Sequence, residues 1–302
     1  MNRRTFLKTT ASAAAAVSFV PASHAAPKRE LRKAIMYSTI GVKGSVLEKF
    51  KAMKAAGFEG VEPLGAMNRD EVIAALKETG LQAASVCDHI HWVKPLSAPD
   101  EATRKLGYDG LIQSLQDAKA YGATSVLLVP GIVEGLGREG STYEECWDRS
   151  IVEIKKAIPV ARDLGVKISI ENVGNNFIRT PEEAAKYLDA INSEQVGFHF
   201  DIGNVGRRGP AAEKWIEVLG KRIIRIHIKD FSAGSAAPVV AGQKAGARPK
   251  LMEGGTNWPA VMAALDKVGY RGWAISEQPT DQAADVETAR DLAERMDRIF
   301  AL

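Results

Sequence analysis

The sequence predicts an α/β protein built as a single closed (β/α)₈ barrel, and three observations carry that reading. First, a short apolar strand, a polar loop and an amphipathic helix recur about eight times along the chain. Second, alternating strands and helices imply a parallel sheet, and eight such units in about 270 residues fit a closed barrel. Third, the runner-up, a doubly wound open sheet, should carry a glycine-rich phosphate turn after its first strand. That region reads MYSTIGVKGS, with no G-x-G-x-x-G. No internal sequence repeat or linker divides the chain, so residues 26–302 are read as one domain.

Residues 1–25, MNRRTFLKTTASAAAAVSFVPASHA, read as an export signal: bases, then an apolar Ala-rich run, then a small-x-small site at Ser23-His24-Ala25. RRTFLK resembles a twin-arginine signal, which implies passage through the twin-arginine (Tat) export machinery to the periplasm. The apolar run is too short for a membrane span of roughly 20 residues. No cysteine follows it to carry a lipid, so the processed protein is expected to have no membrane anchor.

Strands are expected near 33–38, 60–63, 82–87, 124–129, 166–171, 196–201, 224–229 and 273–277, with helices in most of the gaps. Ser45-x-x-Glu48 and Thr180-Pro181-x-Glu183 read as capping boxes that start two helices. Glycines at 57, 80, 122, 165 and 269 read as left-handed helix ends. The stretch 231–256 is rich in Gly, Ala and Pro, and an irregular segment of that length is usually functional.

Composition narrows the function. The 302 residues are 45% hydrophobic and 25% charged, which is ordinary for a globular chain. The net charge of +3 resides in Arg3, Arg4 and Lys8, so the processed chain is neutral and lacks the basic surplus of a nucleic-acid binder. Cys87 and Cys146 are the only cysteines, too few for a disulfide framework or a four-cysteine metal site.

Three consecutive strands share an unusual pattern. Lys167, Ser169 and Glu171 alternate with Val166, Ile168 and Ile170; Gly197, His199 and Asp201 alternate with Val196, Phe198 and Phe200; Arg225, His227 and Lys229 alternate with isoleucines. In a barrel the apolar parity packs under the helices, so the polar parity faces the axis. Buried charges are costly unless paired or bound to metal, and active sites lie at the carboxy-terminal ends of barrel strands. Glu171, Asp201 and His227 stand at such ends and are potential ligands of one ion. A buried ion-pair network that also includes Arg225 and Lys229 is the non-metal alternative. Glu277, in WAISEQP, shares the parity of Trp273 and Ile275, so alternation alone does not turn it inward.

AGFEGVEPL (56–64), ISIENV (168–173), HFDIGNV (199–205), RIHIKD (225–230) and LMEGGTNWPAVMAALDKVGYRGWAISEQ (251–278) together resemble the xylose isomerase-like TIM barrel superfamily, in particular its sugar phosphate isomerase/epimerase family. The resemblance implies one divalent metal held by Glu171, Asp201, His227 and Glu277, with Glu171 and Glu277 moving protons as the acid/base pair. Such a set suits Mn²⁺, Mg²⁺ or Co²⁺ better than Zn²⁺. Relatives often carry histidine where this chain has Asn204, which can bind a hydroxyl but not shuttle a proton.

Strand-end position adds Glu62, His89, His91 and Trp92 as substrate-binding candidates, with Asn204, Lys229 and Glu253, the last as a lid residue. Arg207, Arg208, Lys244, Arg248 and Lys250 are weighed for an anionic substrate, with surface solvation the default. The leading expectation is a periplasmic, metal-dependent isomerase or epimerase that acts on a keto-sugar or sugar derivative through an enediolate intermediate, with a carbohydrate as its partner and homo-oligomerisation left open. A lyase or dehydratase on 3-keto-glycosides or inosose-like substrates uses the same chemistry. A non-catalytic sugar-binding barrel is the alternative of another class. An endonuclease IV-like repair enzyme would need a histidine-rich site that four histidines in the processed chain do not supply.

Overall fold

The computed structural model describes residues 29–134, 141–205, 210–231 and 249–302. Residues 1–25, read from the sequence as an export signal, and Arg207, Arg208, Lys244 and Arg248 lie outside the described residues.

The described strands are β1 (Leu31–Met36), β2 (Gly60–Glu62), β3 (Gln82–Ala83), β4 (Val86–Cys87), β5 (Ser125–Leu128), β6 (Lys167–Glu171), β7 (Val196–Asp201), β8 (Ile223–Ile228) and β9 (Gly272–Ser276). They pair in the order β3-β2-β1-β9-β8-β7-β6-β5-β4, and every pairing is parallel. The described helices are α1 (Val46–Ala55), α2 (Arg69–Thr79), α3 (Glu101–Tyr121), α4 (Tyr143–Leu164), α5 (Pro181–Ile191), α6 (Ala212–Leu219), α7 (Trp258–Val268) and α8 (Val286–Phe300). This is the expected barrel, with one local change: the third strand is broken. β3 pairs with β2 and β4 with β5, and a parallel bridge from Leu64 to Cys87 closes the ring. At the break, the Ala84 carbonyl accepts from Arg225 Nε at 2.8 Å, and Ser85 Oγ donates to Glu62 at 2.6 Å. Arg225 thus satisfies a carbonyl that a continuous ladder would have paired.

Local signals explain the helix ends. Ser45 and Glu48 form the full reciprocal box at α1. Thr180 caps α5 at the Glu183 amide, but Glu183 reaches one residue further back, to the Arg179 amide at 2.6 Å. Proline at the first helical position holds Thr180 extended, which moves its own amide out of line. Gly80 and Gly165 end α2 and α4 at φ of 65° and 67°, where a Cβ would be strained.

The main core lies between sheet and helices and includes Ile35, Val61, Ile168, Ile170, Phe198, Phe200, Ile226, Ile228 and Ala274. A second, smaller cluster of Ala34, Ala84, Trp273 and Ile275 fills the barrel interior. Gly60 makes room for it, since a Cβ there would meet the Trp273 ring at 2.7 Å. Arg32 stacks on the outer side of the same ring, 3.9 Å from its centroid. Arg225 belongs to this lower layer too, with Nη2 donating to Thr124 Oγ1 at 2.6 Å. It is therefore a plug of the barrel floor rather than a member of the ion-pair network considered from the sequence. The polar groups that remain crowd at the opposite, carboxy-terminal mouth.

Candidate metal centre

Three strands bring the centre together through their register. Asp201 on β7 stands opposite His227 on β8, and Glu171 on β6 opposite His199 on β7. A bulge in β8 against Phe198 and His199 adds one residue there, so Ile223 and Ile226 both reach the outer core while Arg225 and His227 face inward. Glu277 follows β9 directly, its amide donating to the Ile228 carbonyl at 3.1 Å. Trp273 and Ile275 are the residues of β9 that face the interior. Glu277 therefore has the inward parity after all. No bend is needed; β9 simply presents an apolar inner lining below its one inward carboxylate.

His227 is the hub. Its Nδ1 lies 3.1 Å from Glu171 Oε1, 3.2 Å from Glu277 Oε2 and 3.9 Å from Asp201 Oδ2. Its Nε2 lies 3.0 Å from Glu62 Oε2 on the other side of the ring. One ligand atom from each of Glu171, Asp201, His227 and Glu277 lies within 4.8 Å of all the others. Asp201 is aimed by its neighbours: Oδ1 accepts from the amides of Gly203 at 2.8 Å and Asn204 at 3.0 Å. Asn172 accepts from the Asp201 amide and donates to its carbonyl, both at 2.9 Å. Lys229 Nζ sits 2.7 Å from both Asp201 Oδ2 and Glu277 Oε2.

Charge explains the pKa pattern. Burial pushes Glu171 up to about 7 and Asp201 up to about 6, against the pull of His227 and Lys229. Burial pushes Glu277 up as well, but His227 and Lys229 outweigh it and hold the carboxyl well below its usual range. Burial disfavours the His227 imidazolium, yet Glu62, Glu171 and Glu277 raise its pKa well above that of free histidine. Likewise Asp201 and Glu277 overcome burial to raise Lys229.

The residues present fit a divalent ion. Four carboxylates meet one ammonium and one imidazole in a buried space, which leaves excess negative charge. Asp201 Oδ2 is buried and has no aligned hydrogen-bond donor, although Lys229 is within ion-pair distance of it. The ammonium stands among these oxygens as a cation would. Three carboxylate oxygens and one imidazole nitrogen form a hard to borderline donor set.

Above the centre opens a cavity of about 440 Å³, lined in part by Met36, Leu64, His89, Trp92, Glu171 and Asn204. Cys87, Asp88, His91, Lys229 and Glu277 also reach it. His91 is buried and its Nδ1 accepts from the Val129 amide at 3.4 Å; burial, then His89, lowers its pKa to about 3, so it stays neutral. Trp92 is 40% exposed and packs edge-on to His91 with ring centroids 5.7 Å apart. Asn204 donates to the Asn172 carbonyl at 2.9 Å while lining the cavity.

Two candidates are placed elsewhere. Glu62 does not line the cavity: it lies behind His227 with one oxygen on Ser85 and the other on Nε2. Glu253 is exposed and pairs with Arg295 on α8 at 2.8 Å. The cause is Asp230, which accepts from the amides of Met252, Gly254 and Thr256 and from Trp258 Nε1, fixing residues 252–258 with Glu253 turned outward. Lys250 pairs with Asp291 at 2.9 Å on the surface. Asn172, Ser85 and Asp88 are contributors missed in the sequence, and His199 was placed inward by alternation but given no role. Asn172 and His199 sit inside the quoted ISIENV and HFDIGNV, but only register reveals what they touch.

The described chain is a parallel barrel with a carboxylate–histidine cluster, a possible metal site, at its carboxy-terminal mouth. The chain belongs to the xylose isomerase-like TIM barrel family, whose model matches residues 50–299. It is 24% identical over 266 residues to L-ribulose-5-phosphate 3-epimerase UlaE of Salmonella paratyphi C, covering 81% of this chain and 87% of that one. It is 27% identical over 179 residues to an uncharacterised Methanocaldococcus jannaschii protein, of which the match spans 57%, as it does of this chain. A third relative, inosose dehydratase of Glaesserella parasuis, is 27% identical over 166 residues, 51% of this chain and 55% of that one. Among solved structures, the fold matches 3-keto-D-glucoside 4-epimerase YcjR of E. coli with a TM-score of 0.72 at 18% identity, over 89% of this chain and 100% of that one. It matches the IOLI protein with a bound zinc atom, also at 0.72, with 16% identity, over 89% and 98%.

Proposed function

We propose that the chain is a periplasmic, divalent-metal-dependent isomerase or epimerase of a keto-sugar or sugar derivative. The observation that carries the reading is the convergence of Glu171, Asp201, His227 Nδ1 and Glu277 on one point beneath an open cavity. Relatives named as sugar epimerases support the reaction class. The zinc atom bound by the IOLI protein, a neighbour of the same fold, supports metal binding as a reading of the quartet.

A divalent ion held by the quartet would polarise a substrate carbonyl and stabilise the charge that develops on its oxygen when an adjacent proton leaves. The protein's own groups do the rest. Glu171 and Glu277 both line the cavity and are the proton-transfer pair, one taking the proton and the other returning it. Trp92 offers a face for the apolar side of a sugar, and neutral His91 and Asn204 offer hydrogen bonds to hydroxyls. Lys229 braces Asp201 and Glu277 in place.

A dehydratase or lyase reading keeps the same first proton transfer. It is favoured by one feature, Asp88, a second buried acid on the cavity wall that could protonate a departing hydroxyl. Turnover of unphosphorylated keto-sugars and 3-keto-glycosides in deuterium oxide separates the readings. Solvent deuterium at the carbon beside the carbonyl, with no loss of water or aglycone, is the expected result. Loss of either selects the lyase, and neither product with any of Mn²⁺, Mg²⁺ or Co²⁺ leaves the sugar-binding barrel. Glu277→Gln is expected to slow deuterium incorporation by about 10²–10⁴-fold.

A further inference from the structure

Resting on the reading of Glu171, Asp201, His227 and Glu277 as a cation site, we infer that Glu62 is a positioning residue for it: Glu62 fixes the His227 ring so that Nδ1 is the ligand nitrogen. The two side chains are fully buried, and Glu62 Oε2 lies 3.0 Å from His227 Nε2. Ser85, at the break in the third strand, donates to the other Glu62 oxygen at 2.6 Å and prevents the carboxylate from turning away. His199 packs edge-on to His227, with ring centroids 4.2 Å apart, and restricts the ring's rotation. The carboxylates of Glu171, Asp201 and Glu277 are all offered to Nδ1.

The chemistry follows from the imidazole itself. A nitrogen that binds a metal must present its lone pair, so in the neutral ring the other nitrogen carries the hydrogen. An ionised carboxylate only accepts hydrogen bonds. Glu62 therefore stabilises the tautomer with hydrogen on Nε2, which leaves the Nδ1 lone pair facing the quartet. It also makes that nitrogen a better donor, as carboxylates behind ligating histidines do.

A competing arrangement exists on the same atoms. Glu62, His199 and His227 also bring ligand atoms within 4.8 Å of one another, and both His199 nitrogens are buried without partners. A second ion there would need the Nε2 lone pair as well, stripping the imidazole of its last hydrogen. The two arrangements differ in stoichiometry.

The test is calorimetric titration of the purified full barrel with Mn²⁺ or Co²⁺, for the wild type, Glu62→Gln, Glu62→Ala and Ser85→Ala. Circular dichroism and thermal midpoint of the metal-free proteins serve as the folding control. The expected result is one ion per wild-type chain and an affinity about 10–100-fold weaker in Glu62→Ala. Glu62→Gln, whose carbonyl oxygen can still accept from Nε2, should restore part of that loss. Long-range ¹H–¹⁵N spectra of the Zn²⁺-loaded wild type should show the His227 hydrogen on Nε2. Affinity within about threefold of wild type in both Glu62 variants would overturn the inference, because an outer partner of this kind contributes at least tenfold. So would two ions per wild-type chain with one lost in Glu62→Ala. If Glu62→Ala does not fold, the His227 spectra of the Zn²⁺-loaded wild type decide: hydrogen on Nε2 supports the inference, and hydrogen on Nδ1 overturns it. A wild type that binds no ion refutes the cation-site reading itself, a separate and visible outcome.

Discussion

Asp88 is the residue whose cost to the fold is easiest to measure. It sits buried at the end of β4 with Oδ2 unpaired, while Oδ1 accepts from the Ile90 amide at 3.1 Å. Burial raises its pKa to about 7, with the Ile90 amide and Ser114 pulling the other way. His89 Nδ1 lies 3.8 Å from Asp88 Oδ1. A carboxyl whose folded pKa lies above its unfolded value binds more protons in the folded state between the two. Its stabilising contribution is therefore full below about pH 4 and disappears as pH rises through about 7. Asp88→Asn should flatten the fall in thermal midpoint between pH 5 and pH 8 and raise the midpoint at pH 8. An unchanged slope would mean that Asp88 ionises as it does in the unfolded chain. Individual residues of this kind were only partly legible in the sequence. Glu171, Asp201 and His227 announced themselves because charge on a strand that should be buried is anomalous. Glu62 was visible as a strand-end carboxylate, but the sequence contains nothing that distinguishes facing a cavity from backing a histidine.

At the scale of elements, the segment after β8 shows how one side chain shapes a loop. Asp230 gathers the amides of Phe231, Met252, Gly254 and Thr256, the Thr256 hydroxyl and Trp258 Nε1. It thereby ties the end of β8 to the start of α7. Gly254 is required there, since a Cβ would meet the Asp230 carboxylate. Asp230→Ala should cost roughly 2–4 kcal/mol in urea unfolding, since it removes hydrogen bonds to a charged acceptor and leaves buried donors unpaired. A loss below about 1 kcal/mol would indicate that water replaces the carboxylate. Element boundaries were legible to within two residues wherever alternation was clear, as on β7. They failed at the third strand because QAASVC is too short and too small in its side chains to reveal a break. They misjudged the face of Glu277 because the inner lining of a barrel can be as apolar as its outer core, so parity alone did not tell inside from outside.

For the whole molecule, the barrel was legible because its repeat is long and regular, and because the helix ends carry caps. The N-terminal segment extends the functional reading beyond the barrel: MNRRTFLK ahead of an apolar run motivates delivery across the inner membrane after folding. Cells producing the full chain should release the processed protein on osmotic shock. Replacing Arg3 and Arg4 by lysine should hold it, unprocessed, with the cytoplasmic fraction. Processed protein at wild-type levels from the doubly substituted chain would argue for an ordinary secretory route. Folding before export would also allow a metal centre to be loaded inside the cell, where the buried, unpaired thiols of Cys87 and Cys146 are at home.

The interrupted third stave has a mechanical consequence. Where the ladder lapses, between the β3 pairing and the Leu64–Cys87 bridge, Arg225 holds Ala84 and Ser85 holds Glu62, and the second of these leads straight to His227. The seam and the ligand set therefore share a strut. Loading the quartet with Mn²⁺ should slow amide hydrogen exchange at residues 84–88, far along the chain from any ligand, and chelation should release it. Equal exchange with and without the ion would mean that the seam breathes independently of the chemistry above it.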